Sequence, residues 1–177
     1  MRFNPAFSAE IHAEKARLES LWKPRIHMTV DIPQAADDLQ AYAWTASDKA
    51  GYPITFNAMV FSDWANPRDV YGLLKGDAES GGLETKPADV LLHEYGHVVS
   101  FNLPERQQRA FGNALKSYLG VTDHTRKATQ AMVHRLSPYG VVGGPFEAMA
   151  EAFVMLDKRP DHPAAQIAEK YVGKLRR

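Results

Sequence analysis

Cysteine is absent from this chain of 177 residues. Its absence excludes a disulfide framework, a thiolate metal site and a cysteine nucleophile, and it leaves histidine, aspartate and glutamate as possible metal ligands. The chain also lacks an excess of charge of either sign, because 21 lysines and arginines balance 21 aspartates and glutamates. A nucleic acid or an anionic membrane is therefore not an expected partner.

Long apolar segments are missing as well. No window approaches the roughly 18 consecutive apolar residues of a membrane span, and residues 1–10 lack the apolar stretch of a secretory signal. We expect a soluble protein without a cleavable leader, in a compartment that the lack of cysteine does not settle. Because 45% of the residues are hydrophobic, the chain can bury the core of one globular domain.

Residues 1–86 are predicted to form a subdomain with a helix and a small mixed or antiparallel sheet. An amphipathic helix begins near Pro5. Three segments show strand patterns, through alternation or through β-branched and aromatic residues: 25–32, 42–47 and 54–61. The alanines of 42–47 also suit a helix, although the turn after them favours one arm of a hairpin. Residues 62–86, rich in Gly, Asp, Asn and Pro, predict a long irregular loop.

Residues 87–177 are predicted to be mainly helical, so the fold class is α+β, with a cleft between the two parts of a single domain. Five segments combine helical periodicity with start and stop signals: 87–101, 105–119, 123–136, 145–156 and 163–174. Asp161 is the predicted cap of the last helix. The helix at 87–101 is apolar nearly all round, so we expect it to be buried with the sheet packed on it.

The buried helix contains His93-Glu94-Tyr95-Gly96-His97, which is the HExxH pattern. Positions four apart lie one above the other on a helix, so both imidazoles can share one cation. Zinc is the expected ion, because its catalytic sites accept imidazole nitrogens and keep one position open for water. Glu94 can then take a proton from that water. The alternative is a structural cluster, in which each polar group needs another partner or costs on the order of a few kcal/mol to bury.

A third ligand is expected from the helix at 145–156. Glu147 and Glu151 are four residues apart there, on a face otherwise made of Ala, Met and Phe. We expect Glu147 to bind zinc, and Glu151 to accept a hydrogen bond from a ligating histidine and fix its tautomer. The reverse assignment and an ordinary solvated helix edge are the alternatives. The remaining histidines lack ligand spacing and are expected at the surface: His12, His27, His124, His134 and His162.

These motifs resemble a known family. HEYGH at 93–97, Ser-Pro-Tyr-Gly at 137–140 and FEAMAEAF at 146–153 follow the order of elements in the lethal-factor-like gluzincin metallopeptidases, which include related domains of phage and bacterial toxin proteins. The resemblance covers about residues 87–156, with one extra residue before the last element. It implies a zincin-like fold and a zinc-dependent peptidase activity.

Carried over to this sequence, the resemblance implies that His93, His97 and Glu147 are zinc ligands and that Glu94 is the general base. It further implies that Tyr139 points its phenol at the site, where it could stabilise an oxyanion or protonate the leaving amine. Without the resemblance, Tyr139 would be an ordinary core or surface tyrosine.

The predicted function is therefore that of a zinc-dependent endopeptidase acting on a peptide or protein substrate. In folds of this type an extended substrate pairs with a sheet edge, and we expect strand 54–61 to be that edge, with Asn57 and Met59 near the cleft. The loop at 62–86 is expected to cover the cleft. The alternatives are a zincin-like binding module with a structural metal, and a phage-assembly or toxin component with one specific target protein.

Overall fold

A computed structural model describes residues 1–31, 41–47, 51–120, 136–137 and 144–177. Within these ranges the chain has an α+β architecture, with seven α-helices and one small mixed sheet, so the predicted α+β class is confirmed. The helix predicted at 123–136 falls almost entirely outside them. None of the helices in the described ranges is long and apolar enough to cross a membrane.

Proline at the first turn begins five of the helices, where its missing N–H costs no hydrogen bond. The helices are α1 Pro5–Leu21, α2 Ala58–Phe61, α3 Pro67–Glu79, α4 Pro87–Phe101, α5 Glu105–Leu119, α6 Pro145–Lys158 and α7 Pro163–Val172. A 3-10 turn at Gly173–Leu175 follows the last helix. The cap predicted at Asp161 is wrong, because His162 is the N-cap and its Nδ1 accepts a hydrogen bond from the Ala164 N–H at 3.3 Å.

The sheet has three strands, β1 Met28–Asp31, β2 Ala43–Thr45 and β3 Ile54–Asn57, in the order β1-β3-β2. Strand β1 is parallel to β3, and β2 is antiparallel to it. The strand predicted over 54–61 ends at Asn57, because the Asn57 side chain accepts a hydrogen bond from the Met59 N–H and caps the start of α2. Because β3 lies between two partners, the expectation that it offers a free edge to a substrate is wrong.

The loop predicted at 62–86 is also wrong, since it contains helix α3. Asn66 caps this helix with its side chain, and Val70 and Leu74 bury a narrow apolar stripe. Two glycines, Gly72 and Gly76, stand in its interior and weaken the helical signal of the sequence. Asn66 followed by proline is a helix start signal, but the interior glycines weakened the helical pattern, so a loop was predicted instead.

Helix α4 lies at the centre of the molecule, and all its residues from Pro87 to Ser100 are buried. It packs against α1 on one side and α6 on another. At Gly96 the two backbones of α4 and α6 nearly touch, since a Cβ added there would lie 2.9 Å from the Ala150 Cα and 3.0 Å from the Ala150 carbonyl oxygen. This close approach brings one face of α6 against the HExxH segment.

The contact at Gly96 predicts opposite effects for the same substitution at two sites. Gly96→Ala should lower the free energy of unfolding by about 1–2 kcal/mol, because the new methyl group forces α4 and α6 apart. Gly72→Ala should raise it by about 0.5–1 kcal/mol, because a Cβ at Gly72 meets no atom within 4 Å and alanine favours a helix. Denaturant titration measures both, and equal effects would contradict the proposed role of this contact.

Candidate metal centre

Two imidazoles and one carboxylate meet at the interface of α4 and α6. The His93 and His97 rings, one helical turn apart on α4, have their centroids 5.1 Å from each other. From α6, Glu147 places Oε2 3.1 Å from His93 Nε2 and Oε1 3.3 Å from His97 Nε2. Both histidines are buried, with 8% and 7% of their surface exposed. The arrangement thus directs the same nitrogen of each ring at one carboxylate.

The donor types and spacing in this group fit a divalent ion. Zinc bonds of about 2.0–2.1 Å at the tetrahedral angle separate neighbouring ligand atoms by about 3.3 Å. The distances from Glu147 to the two imidazoles match this separation, and all three ligand atoms lie within 4.8 Å of one another. Imidazole and carboxylate are ligands that zinc accepts. His93, His97 and Glu147 could therefore hold a metal together.

The opposite nitrogen of His93 faces two further carboxylates. Glu151 Oε1, fully buried on α6, lies 3.1 Å from His93 Nδ1, and Glu84 Oε1 lies at the same distance. Neither contact meets the geometry of a hydrogen bond, so the two carboxylates act on His93 Nδ1 through their charge. On α6, Glu147 is thus on the Nε2 side of His93, and Glu151 is on the Nδ1 side.

Glu84 was not identified from the sequence. It lies between α3 and α4, outside any regular element, where no periodicity marks a residue as directed inward. Only 5% of its surface is exposed, which is unusual for a glutamate. A buried acid in a segment predicted as a long irregular loop becomes recognisable only when the fold brings it to His93.

His93 and the carboxylates around it shift one another's pKa values. Burial alone would lower the pKa of His93, but contact with Glu147, Glu151 and Glu84 raises that pKa well above its ordinary value. Burial would raise the pKa of Glu147, and yet the two imidazoles hold it far below its usual range. Burial raises the pKa of Glu151, whereas His93 outweighs burial at Glu84 and lowers its pKa. The raised pKa of His93 means that its imidazole carries the positive charge among these carboxylates without a metal, and a divalent ion could supply that charge instead.

Glu94 is directed differently from the other acids. Its Oε2 accepts a 2.6 Å hydrogen bond from the Thr45 hydroxyl of β2, and 6% of the residue is exposed. Glu94, His97 and Glu147 line an open cleft of about 560 Å³, to which Trp44, Phe101 and Phe146 contribute aromatic surface. Thr45 carries no sequence signal for this contact, since its partner is 49 positions away.

Several residues expected near the cleft lie elsewhere. Asn57 is fully buried, and its side-chain amide donates to the Ala41 carbonyl at 2.9 Å instead of facing a substrate. Met59 is exposed to solvent and is not among the residues that line the cleft. No described residue of the 62–86 segment lines it either, so the expected cover is not formed by that segment. Tyr139 lies outside the described residues.

Among the histidines expected at the surface, His12 and His27 are exposed, and His162 is partly buried as the cap of α7. His124 and His134 lie outside the described residues.

Comparison with protein-family models, with curated proteins and with solved structures found no match to this chain. The assignment of the centre therefore depends on its own residues and geometry.

The geometry predicts that wild-type protein binds one equivalent of zinc at this centre. Loss of a residue that only contacts a metal ligand typically weakens metal binding by about 10–100-fold. His97→Ala and Glu147→Gln should each weaken zinc binding by more than this, because each removes a ligand atom. Competition titration against a chromophoric chelator measures the affinity. His12→Ala, which removes an exposed imidazole, is the control, and wild-type affinity in both ligand variants would refute the assignment.

Proposed function

We propose that the protein is a zinc-dependent endopeptidase of the gluzincin type, related to the lethal-factor-like metallopeptidases that its motifs resemble, with a zincin-like fold. One observation carries the proposal: His93, His97 and Glu147 converge at the spacing of zinc ligands beside a cleft that Glu94 also lines. A structural zinc site is normally closed by four protein ligands. Three ligands and an adjacent carboxylate at an open cleft favour catalysis over a structural metal.

Bound zinc would polarise the scissile carbonyl and lower the pKa of a water molecule in the cleft. Glu94 then accepts a proton from that water while the water oxygen attacks the carbonyl carbon. When the carbon–nitrogen bond breaks, Glu94 gives the same proton to the leaving nitrogen, so the carboxylate is regenerated. Thr45 keeps Glu94 directed at the cleft through its 2.6 Å hydrogen bond. A role for Tyr139 at the oxyanion stays a prediction.

The substrate we propose is a peptide in extended conformation, bound along β2. This strand pairs with β3 on one side, and among the described residues no strand pairs with its other side. Ala43, Trp44 and Thr45 of β2 all line the cleft. A peptide added at this edge would exchange main-chain hydrogen bonds with β2 and run past Glu94. Phe101 and Phe146, from α4 and α6, offer apolar contact to its side chains.

Replacement of the general base separates hydrolysis from metal binding. Glu94→Gln should lower kcat by at least about 10²–10⁴-fold, because an amide cannot accept the proton from water, while zinc stays bound. Cleavage of an unbiased peptide library, measured with and without chelator, reports the activity, and metal analysis reports the zinc. Glu105→Gln at the exposed start of α5 is the matched control. Equal cleavage by Glu94→Gln and wild type would exclude this mechanism.

The hydrogen bond from Thr45 gives an independent prediction. Thr45→Val keeps the shape of the side chain but removes the donor, so Glu94 loses its fixed orientation and kcat should fall about tenfold with KM little changed. Thr45→Ser keeps the hydroxyl and should restore most of the rate. Steady-state kinetics on a peptide from the library test the pair. If the valine and serine variants have the same kcat, the hydroxyl has no role in orienting the base.

A further inference from the structure

Glu84 makes a contact that the proposed reaction does not use. Its buried carboxylate lies 3.1 Å from His93 Nδ1, on the side of the ring that faces away from Glu147. Glu151 reaches the same nitrogen from α6 at 3.1 Å. Two acids from separate parts of the chain therefore flank one ring nitrogen of a candidate metal ligand.

We propose that Glu84 is a positioning residue for the metal centre, which with Glu151 holds His93 in the orientation and tautomer that zinc requires. The proposal rests on the zinc site proposed above. A neutral imidazole carries one N–H, and the negative charge of two carboxylates 3.1 Å from Nδ1 favours the tautomer that holds the hydrogen on that nitrogen. The lone pair then remains on Nε2, which faces Glu147 and the position of the ion.

The segment that carries Glu84 is fixed by a specific set of contacts. Lys158 donates to the Leu83 carbonyl at 2.7 Å and forms a 2.8 Å ion pair with Asp89. The backbone N–H and hydroxyl of Thr85 donate to the same Asp89 oxygen, at 2.8 and 2.7 Å. Contacts therefore hold the residues on both sides of Glu84, which makes the position of its carboxylate a feature of the fold.

Lys158 also links this segment to the helix that supplies the other acids. Lys158 lies at the end of α6, seven residues after Glu151 and eleven after Glu147. At these spacings all three residues are on the same side of the helix. Helix α6 thus places Glu147 beside His93 Nε2 and Glu151 beside His93 Nδ1. Its last residue, Lys158, binds the segment that carries Glu84.

Charge indicates what the position of Glu84 contributes. Its carboxylate adds negative charge on the far side of His93 and makes the ring a better electron donor to an ion at Nε2. Removal of that charge should weaken zinc binding without loss of a ligand. Outer partners of this kind typically change metal affinity by about 10–100-fold, which is the range we expect for Glu84.

The test compares zinc affinity with the stability of the protein in chelator. Glu84→Gln should bind one equivalent of zinc about 10–100-fold more weakly than wild type, in competition with a chromophoric chelator. Its Tm in excess chelator should be unchanged or higher, because glutamine keeps the shape and removes one of two adjacent buried acids. Glu79→Gln, at the exposed end of α3, is the matched control and should change neither quantity.

Lys158→Met is the second variant, since it keeps Glu84 but removes the contact to the Leu83 carbonyl. It should weaken zinc binding in the same direction and by a smaller factor. If Glu84→Gln does not fold, this variant decides, and wild-type zinc affinity in it overturns the proposal.

Other outcomes separate the proposal from its premise. Wild-type affinity in folded Glu84→Gln overturns the positioning role, as does a lowered Tm in chelator with unchanged affinity, which indicates a purely structural residue. Two equivalents of zinc in wild type, with one lost in Glu84→Gln, would make Glu84 a ligand of a second ion and also overturn it. Failure of wild type to bind zinc would refute the proposed function itself, before Glu84 is considered.

Discussion

The close approach of α4 and α6 at Gly96 is the constraint on which the rest of the site depends. Because Gly96 has no side chain, the Ala150 backbone approaches so closely that a Cβ at position 96 would lie only 2.9 Å from the Ala150 Cα. Helices packed this closely bring the glutamates of α6 within 3.1–3.3 Å of the histidine rings of α4. Gly96, between the two histidines, therefore serves packing, and so does its neighbour Tyr95, whose hydroxyl donates to the Pro24 carbonyl at 2.7 Å in the core.

Local sequence signals were sufficient for the elements that form the candidate metal centre. Proline at the first turn and the apolar periodicity correctly indicated the helices that became α4 and α6, because their start signals and their burial are both local properties. The spacing of His93 and His97 placed both rings on one side of a helix without reference to any partner. The two glutamates of α6 could be singled out because they interrupt a face of small and apolar residues.

What the sequence did not indicate depends on contacts between distant residues. Thr45 and Glu94 are 49 positions apart, and Glu84 reaches His93 from a segment without periodicity. The position of β3 in the middle of the sheet follows from parallel pairing with β1, which no turn between them specifies. Helix α3 was missed for a different reason, because its interior glycines outweighed the start signal at Asn66.

The contact at Gly96 also has a consequence behind the cleft. Ala150 and Phe153, the residues nearest to Gly96, belong to the core and to the same helix as Glu147 and Glu151. A change of volume at either position would move the carboxylates relative to the imidazoles, because tightly packed interiors transmit strain. The distances between these carboxylates and imidazoles can therefore be adjusted by hydrophobic residues that never meet solvent, and variation in the core would act on whatever the proposed site binds.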